Sequence, residues 1–274
     1  LNFNVMVYNE NDLKGQPLQQ SLTTENIETL TLAGDSSNLM QSSSIAPAEY
    51  NENRVLYKKV IDNNTEFYEF SNNSSDELYS IKFSYVGEKM GDYSLLSTSA
   101  ISNIYEYKPP VASVKQGNYQ PITNLVAPEK IQVAIISGDY QISNNTKIKF
   151  ELANSNNDKN LFSSTDDDDN NGLATKVELE NFISSSNDIK IISKVELKHI
   201  NKDFRSIENN YDIEFLRDWN LDSTLLGVNN QFNKTQNQST AEIIITKKNA
   251  GIVNYIYQSL EFVNNFKGNK HSAV

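Results

Sequence analysis

Between Lys147 and His199 the chain alternates with a strict period of two through three segments that meet around one acidic loop. Residues 147–153 set Ile148, Phe150 and Leu152 against Lys147, Lys149 and Glu151. Residues 173–183 set Val177 and Leu179 against Lys176, Glu178 and Glu180. Residues 189–199 set Ile189, Ile191, Val195 and Leu197 against Lys190, Lys194, Glu196 and Lys198. Successive side chains of a strand point to opposite faces, so the pattern predicts strands with one apolar and one charged face. The expected fold class is all-β, mainly an antiparallel meander.

The same signal recurs outside this stretch. Residues 1–8 set Leu1, Phe3, Val5 and Val7 against Asn2, Asn4, Met6 and Tyr8. The first residue thus lies inside a strand pattern, and the chain reads as an internal piece of a longer protein. Further on, the pattern predicts hairpins of 129–141 with 147–153, 173–183 with 189–199, 221–233 with 241–247, and 241–247 with 251–262. Ten residues at roughly 3.3 Å each reach roughly 33 Å, enough to cross a bilayer core at a tilt.

All six prolines (Pro17, Pro47, Pro109, Pro110, Pro121 and Pro128) precede residue 129. Proline cannot donate to a ladder and stays out of central strands. The expected organisation is therefore a barrel-type strand over 1–9, a loop-rich mixed subdomain over 10–128, and an antiparallel meander over 129–274. In the subdomain, one short helix is expected near residues 24–33, capped by Thr23 or Thr24 and closed by Gly34. Strands are expected over 54–61, 65–70, 78–86 and 102–107. Residues 35–50 read as irregular, and 108–128 as an extended connector.

Charge and composition narrow the function. The net charge of −11 repels phosphate backbones, which argues against a nucleic-acid partner. Without cysteine there is neither a disulfide framework nor a thiolate metal site. The motif with the sharpest chemistry is Asp167-x-Asp169-x-Asn171-Gly172 followed by Glu178, the spacing of a calcium loop. Calcium takes six to eight oxygens, alternate acidic side chains converge on it, and the glycine permits a sharp turn. Here strands rather than helices flank the loop. The expectation is either a loose calcium site on Asp167, Asp169 and Asn171, with Asp166 or Asp168 adding, or a solvated acidic hairpin loop. No other cofactor is expected. The two histidines, His199 and His271, lie far apart, and H-E-x-x-H, G-x-S-x-G and both glycine-rich phosphate motifs are missing. Acidic pairs such as Asp76/Glu77 are unspecific in so acidic a chain. No enzymatic activity is expected. Trp219 reads as a corner residue or interface anchor. Tyr255, Tyr257, Phe262 and Phe266 read as an aromatic girdle at one end of a strand.

Five stretches carry a resemblance: NENDLKGQPLQQSLT (9–23), YSIKFSYVGEKMGDYSL (79–95), YKPPVASVKQGNYQPI (107–122), FELANSNNDKNLFSSTDDDDNNGLATK (150–176) and IEFLRDWNL (213–221). In this order they resemble the early part of large outer-membrane β-barrel proteins of Bacteroidetes. Those are broadly similar in design to the giant barrel of the type 9 secretion and gliding apparatus. The resemblance covers most of the chain and has no catalytic signature. It implies part of a large transmembrane β-barrel at the outer membrane and cell surface, touching outer-membrane lipid and envelope or secretion-system proteins. The implied role is transport, secretion or envelope organisation. In such a wall the polar strand faces line a lumen, and a piece of this length leaves unpaired edges, expected at 1–8 and 251–262. Alternation alone also fits a soluble cell-surface β-sandwich module for adhesion or glycan binding.

Overall fold

The computed structural model describes residues 1–15, 20–185, 188–208, 211–222 and 232–274. It is mainly antiparallel β, as the alternation requires. The chain divides into two units, one made of Leu1–Lys14 with Pro128–Val274 and the other of Gly15–Ala127.

The first strand, β1 (Asn2–Asn11), belongs to the larger unit, and the chain then enters the smaller one. There α1 (Thr24–Ala33) forms as expected. The Thr23 hydroxyl accepts the Asn26 N–H at 3.2 Å, and Gly34 ends the helix with a φ of 59°. Ten short strands follow: β2 (Gln41–Ser43), β3 (Ile45–Pro47), β4 (Leu56–Asp62), β5 (Thr65–Ser71), β6 (Leu78–Ile81), β7 (Ser84–Tyr85), β8 (Tyr93–Thr98), β9 (Asn103–Tyr107), β10 (Tyr119–Gln120) and β11 (Ile122–Asn124). They make two four-stranded sheets, β3-β6-β4-β5 and β7-β10-β8-β9, and a β2-β11 ribbon.

Residues 35–50 and 108–128 are thus not irregular or a bare connector. Both contribute strands, and Leu125 and Ala127 are buried. The segment 78–86 splits at Phe83, whose ring lies 5.2 Å from Tyr57 and 4.7 Å from both Tyr93 and Tyr105. The two sheets also exchange hydrogen bonds through buried phenols. The Tyr57 hydroxyl accepts the Tyr105 N–H at 3.0 Å, and the Tyr93 hydroxyl accepts the Tyr68 N–H at 2.9 Å.

The larger unit continues with β12 (Lys130–Ser143), β13 (Thr146–Asp158), β14 (Asn171–Ser185), β15 (Ile189–Ile200), the short helix α2 (Phe215–Trp219), β16 (Gln236–Lys247), β17 (Gly251–Phe262) and β18 (Phe266–Ala273). Its eight strands form one antiparallel sheet in the order β1-β12-β13-β14-β15-β16-β17-β18. The register keeps the alternation in phase: Phe150 faces Val177 and Val177 faces Leu197, while Lys149 faces Glu178. A slip of one residue would invert every face.

Two expectations are corrected. Residues 241–247 do not pair with 221–233. β16 pairs with β15, from Ile189–Lys247 to Ile200–Gln236. Leu221 and Asp222 carry no strand, and 223–231 lie outside the described residues. The second edge is not 251–262, because β18 folds back on β17 through the turn at 263–265. The sheet ends at β1 and β18, and no closed barrel forms among the described residues. Its connections are unequal. Two to three residues join β12–β13, β14–β15 and β16–β17 at one end. The opposite end carries 12–129, 159–170, 201–235 and the tight turn at 263–265.

Candidate functional site

The long sheet has two unlike faces. On one, cross-strand rows run Phe3–Gly138–Phe150–Val177–Leu197–Ser239–Ser259–Asn269 and Tyr140–Ile148–Leu179–Val195–Ala241–Tyr257–His271. Neither row contains an acidic residue, lysine or arginine. Phe3 is 61% exposed, Leu197 56% and Ile243 44%. Along β15 the apolar positions run from Ile189 to Leu197, roughly 26 Å at strand spacing. At the roughly 40° tilt of outer-membrane barrel strands that stretch would rise roughly 20 Å, somewhat less than the roughly 25 Å apolar band of such barrels. An exposed apolar surface this extensive marks a contact with lipid or with another protein.

The other face is a charge ladder. Lys147 pairs with Asp139 at 3.2 Å, Lys149 with Glu178 at 2.6 Å, and Lys176 with Glu196 at 3.0 Å. Lys194 stands between Glu180 at 3.9 Å and Glu242 at 3.8 Å. Glu178 directly faces Glu196, and Lys176 faces Lys198, so the diagonal pairs offset like-charge contacts. Each pair is partly exposed and worth at most about 1 kcal/mol. The ladder therefore keeps this face wet more than it holds the sheet together.

At the end with the long connections, apolar side chains return to the charged face and loops fold onto them. Phe204 packs with Ala153 and Ile200. Trp219, Phe232, Leu260 and Phe262 form a second cluster, flanked by Tyr211, Phe215 and Phe266. The Arg205 N–H donates to Ser155 Oγ at 2.9 Å, and the Tyr211 hydroxyl donates to Gln236 Oε1 at 2.7 Å. Burial pushes the Tyr211 phenol well above its usual range. Lys270 lies 4.3 Å over the Trp219 ring. Sequence reasoning found none of these loop contacts, because the aromatic residues of 204–219 show no periodicity.

The expected girdle is split. Tyr255 and Tyr257 lie on the apolar face, where the Tyr255 hydroxyl meets His271 Nδ1 at 2.8 Å. Phe262 differs from them in parity, so it and its partner Phe266 lie on the opposite face, with Phe262 buried. Trp219 is buried in the connection between β15 and β16.

The acidic loop is built differently from an EF-hand. Asp167 and Asp169 bound a 3-10 turn, Asn170 Nδ2 donates to Asp167 Oδ1 at 3.0 Å, and Asn171 opens β14 and accepts from Asn156 Nδ2 at 3.1 Å. Glu178 lies seven residues further along the strand, roughly 23 Å away at strand spacing, and is engaged by Lys149. The structure therefore keeps Asp167, Asp169 and Asn171 in one loop but leaves Glu178 out of it. Among the described residues, no group of three or more His, Cys, Asp or Glu side chains is placed to hold a metal ion. His199 Nδ1 lies 2.7 Å from Asn237 Oδ1. Asp76 accepts from Ser71 and Asn73, while Glu77 accepts from the Tyr79 hydroxyl. Among the described residues, no helix is long and apolar enough to cross a membrane, which says nothing of strands. No protein family, curated protein or solved structure matches the chain.

Proposed function

We propose that this chain is a wall segment of a large outer-membrane β-barrel, without catalysis of its own, that serves transport, secretion or envelope organisation. The observation that carries this reading is the pairing of an exposed face, apolar and uncharged along its central rows, with a charge ladder across one continuous antiparallel sheet. Membrane barrels alternate apolar-out and polar-in, with short turns at the periplasmic end and long loops outside. The connections of this sheet are unequal in the same way. In this reading lipid covers the apolar face, and the charged face lines a wet lumen. Further strands pair with the edges at β1 and β18. The long connections of the sheet face the cell exterior, where envelope or secretion proteins would meet them. The quoted motifs that resemble Bacteroidetes outer-membrane proteins support the same location.

The test is fractionation of native cells. The parent protein is expected in the outer membrane, resistant to carbonate extraction and heat-modifiable in detergent gels. Free release in soluble form overturns the reading. A second reading, a soluble cell-surface module for adhesion or glycan binding, draws on the unit Gly15–Ala127, whose two sheets join through aromatic rings. Soluble release together with saturable glycan binding by the full chain would favour it.

A further inference from the structure

A groove of about 690 Å³ opens on the charged face of the long sheet, at the end with the long connections. Small-molecule sites occupy roughly 300–1,000 Å³. The floor crosses five strands in a single register row: Met6, Ile135, Ala153, Ala174 and Ile200. The two central alanines give it depth. Phe204 and Ile207 form one wall, fixed by the Arg205–Ser155 hydrogen bond at 2.9 Å. The opposite lip is the next register row, Glu151, Lys176 and Lys198. Glu151 and Glu208, both at the rim, are exposed to water. Lys176 is engaged by Glu196 at 3.0 Å. Lys198 differs. It is half-buried, forms no ion pair among the described residues, and its Nζ lies 5.8 Å from the centre of the Tyr211 ring.

We propose that this groove binds an acyl-chain carboxylate, with the chain on the apolar floor and the carboxylate at Lys198. The Lys198 ammonium is partly desolvated, and Glu196 and Glu151 act on it through space without an ion-pair contact; a ligand carboxylate supplies a direct charge and acceptors. A wholly apolar ligand would leave Lys198 without a direct partner, and a cationic head at the Lys198 end of the lip would meet Lys198 and Lys176.

The test is calorimetric titration of the full chain, held in amphipol, with dodecanoate and with its neutral counterpart dodecanol. Dodecanoate is expected to bind saturably and at least about tenfold more tightly than the alcohol, the scale of one charge-assisted contact. Lys198→Met abolishes that preference. Lys194→Met, on the same face but outside the groove, keeps it. Ala174→Leu fills the floor and weakens both ligands. Each variant is first matched to the parent in circular dichroism and thermal midpoint. If Ala174→Leu does not fold, the Lys198→Met comparison decides. The proposal is overturned by non-saturable uptake, by equal affinity for acid and alcohol, or by a preference that survives in Lys198→Met.

Discussion

A methyl group at Gly172 would stand 2.1 Å from the Cα and backbone nitrogen of Phe204. The connection after β15 can lie on β14 only because that position has no side chain. Gly172→Ala is therefore expected to lift Phe204 off Ala153 and Ile200 and to cost roughly 1–3 kcal/mol, read from the urea midpoint. An unchanged midpoint refutes this. In the sequence, Gly172 reads as the turn glycine of a calcium spacing. Its real constraint is a backbone thirty-odd residues away, which no local motif encodes. Tyr57 and Tyr93 offer a second residue-scale test. Burial pushes both phenols up to about 12 from a usual value of 10.0. A raised acid pKa favours the neutral form in the folded state. The stabilisation is thus complete below pH about 10 and is lost as pH rises through about 12, on the order of 2 kcal/mol each. Tyrosinate absorbance should rise cooperatively with loss of structure in that window. Smooth ionisation of all 14 tyrosines near their usual value, without unfolding, would contradict it.

Individual strands were legible where alternation is long and charged on one side, as in β13, β14 and β15. Of the strands of two to four residues, β6 and β7 are legible only as one strand over 78–86 and the others not at all, because they hold too few positions to show a period. β18 was missed for another reason. FKGNKHSA has no apolar stripe, and its pairing follows from the turn at 263–265, where Asn264 takes a φ of 63°. Proximity in sequence groups Phe262 and Phe266 with Tyr255 and Tyr257, although parity assigns Phe262 to the other face. The apolar stripe itself can be tested. Val177 is already 39% exposed, so Val177→Arg should be close to neutral in water. Within a bilayer the same change costs about 2–4 kcal/mol near the midplane. On the proposed reading, the fraction of the protein that reaches the heat-modifiable form in native cells should therefore fall several-fold. An undiminished fraction would count against lipid as the occupant of that face.

Across the whole molecule, the pairing least visible in the sequence is β1 with β12. Nothing in residues 1–8 indicates that their partner lies at 130–139. The junction is closed by two hydrogen bonds, Asp12 N–H to the Glu129 carbonyl at 2.9 Å and Glu129 N–H to Asp12 Oδ2 at 3.0 Å. That arrangement sets an order in time. Each strand from β13 to β18 follows its predecessor after a connection of 35 residues or fewer, whereas β1 must await more than a hundred intervening residues. Relative to a two-residue turn, closing so long a loop costs roughly 3–4 kcal/mol in chain entropy, less if the intervening unit has already folded and drawn its ends together. In pulsed hydrogen-exchange refolding, β13–β16 amides should gain protection first and β1 amides last. Simultaneous protection would mean that the two ends of the inserted unit are held together before the sheet begins to grow.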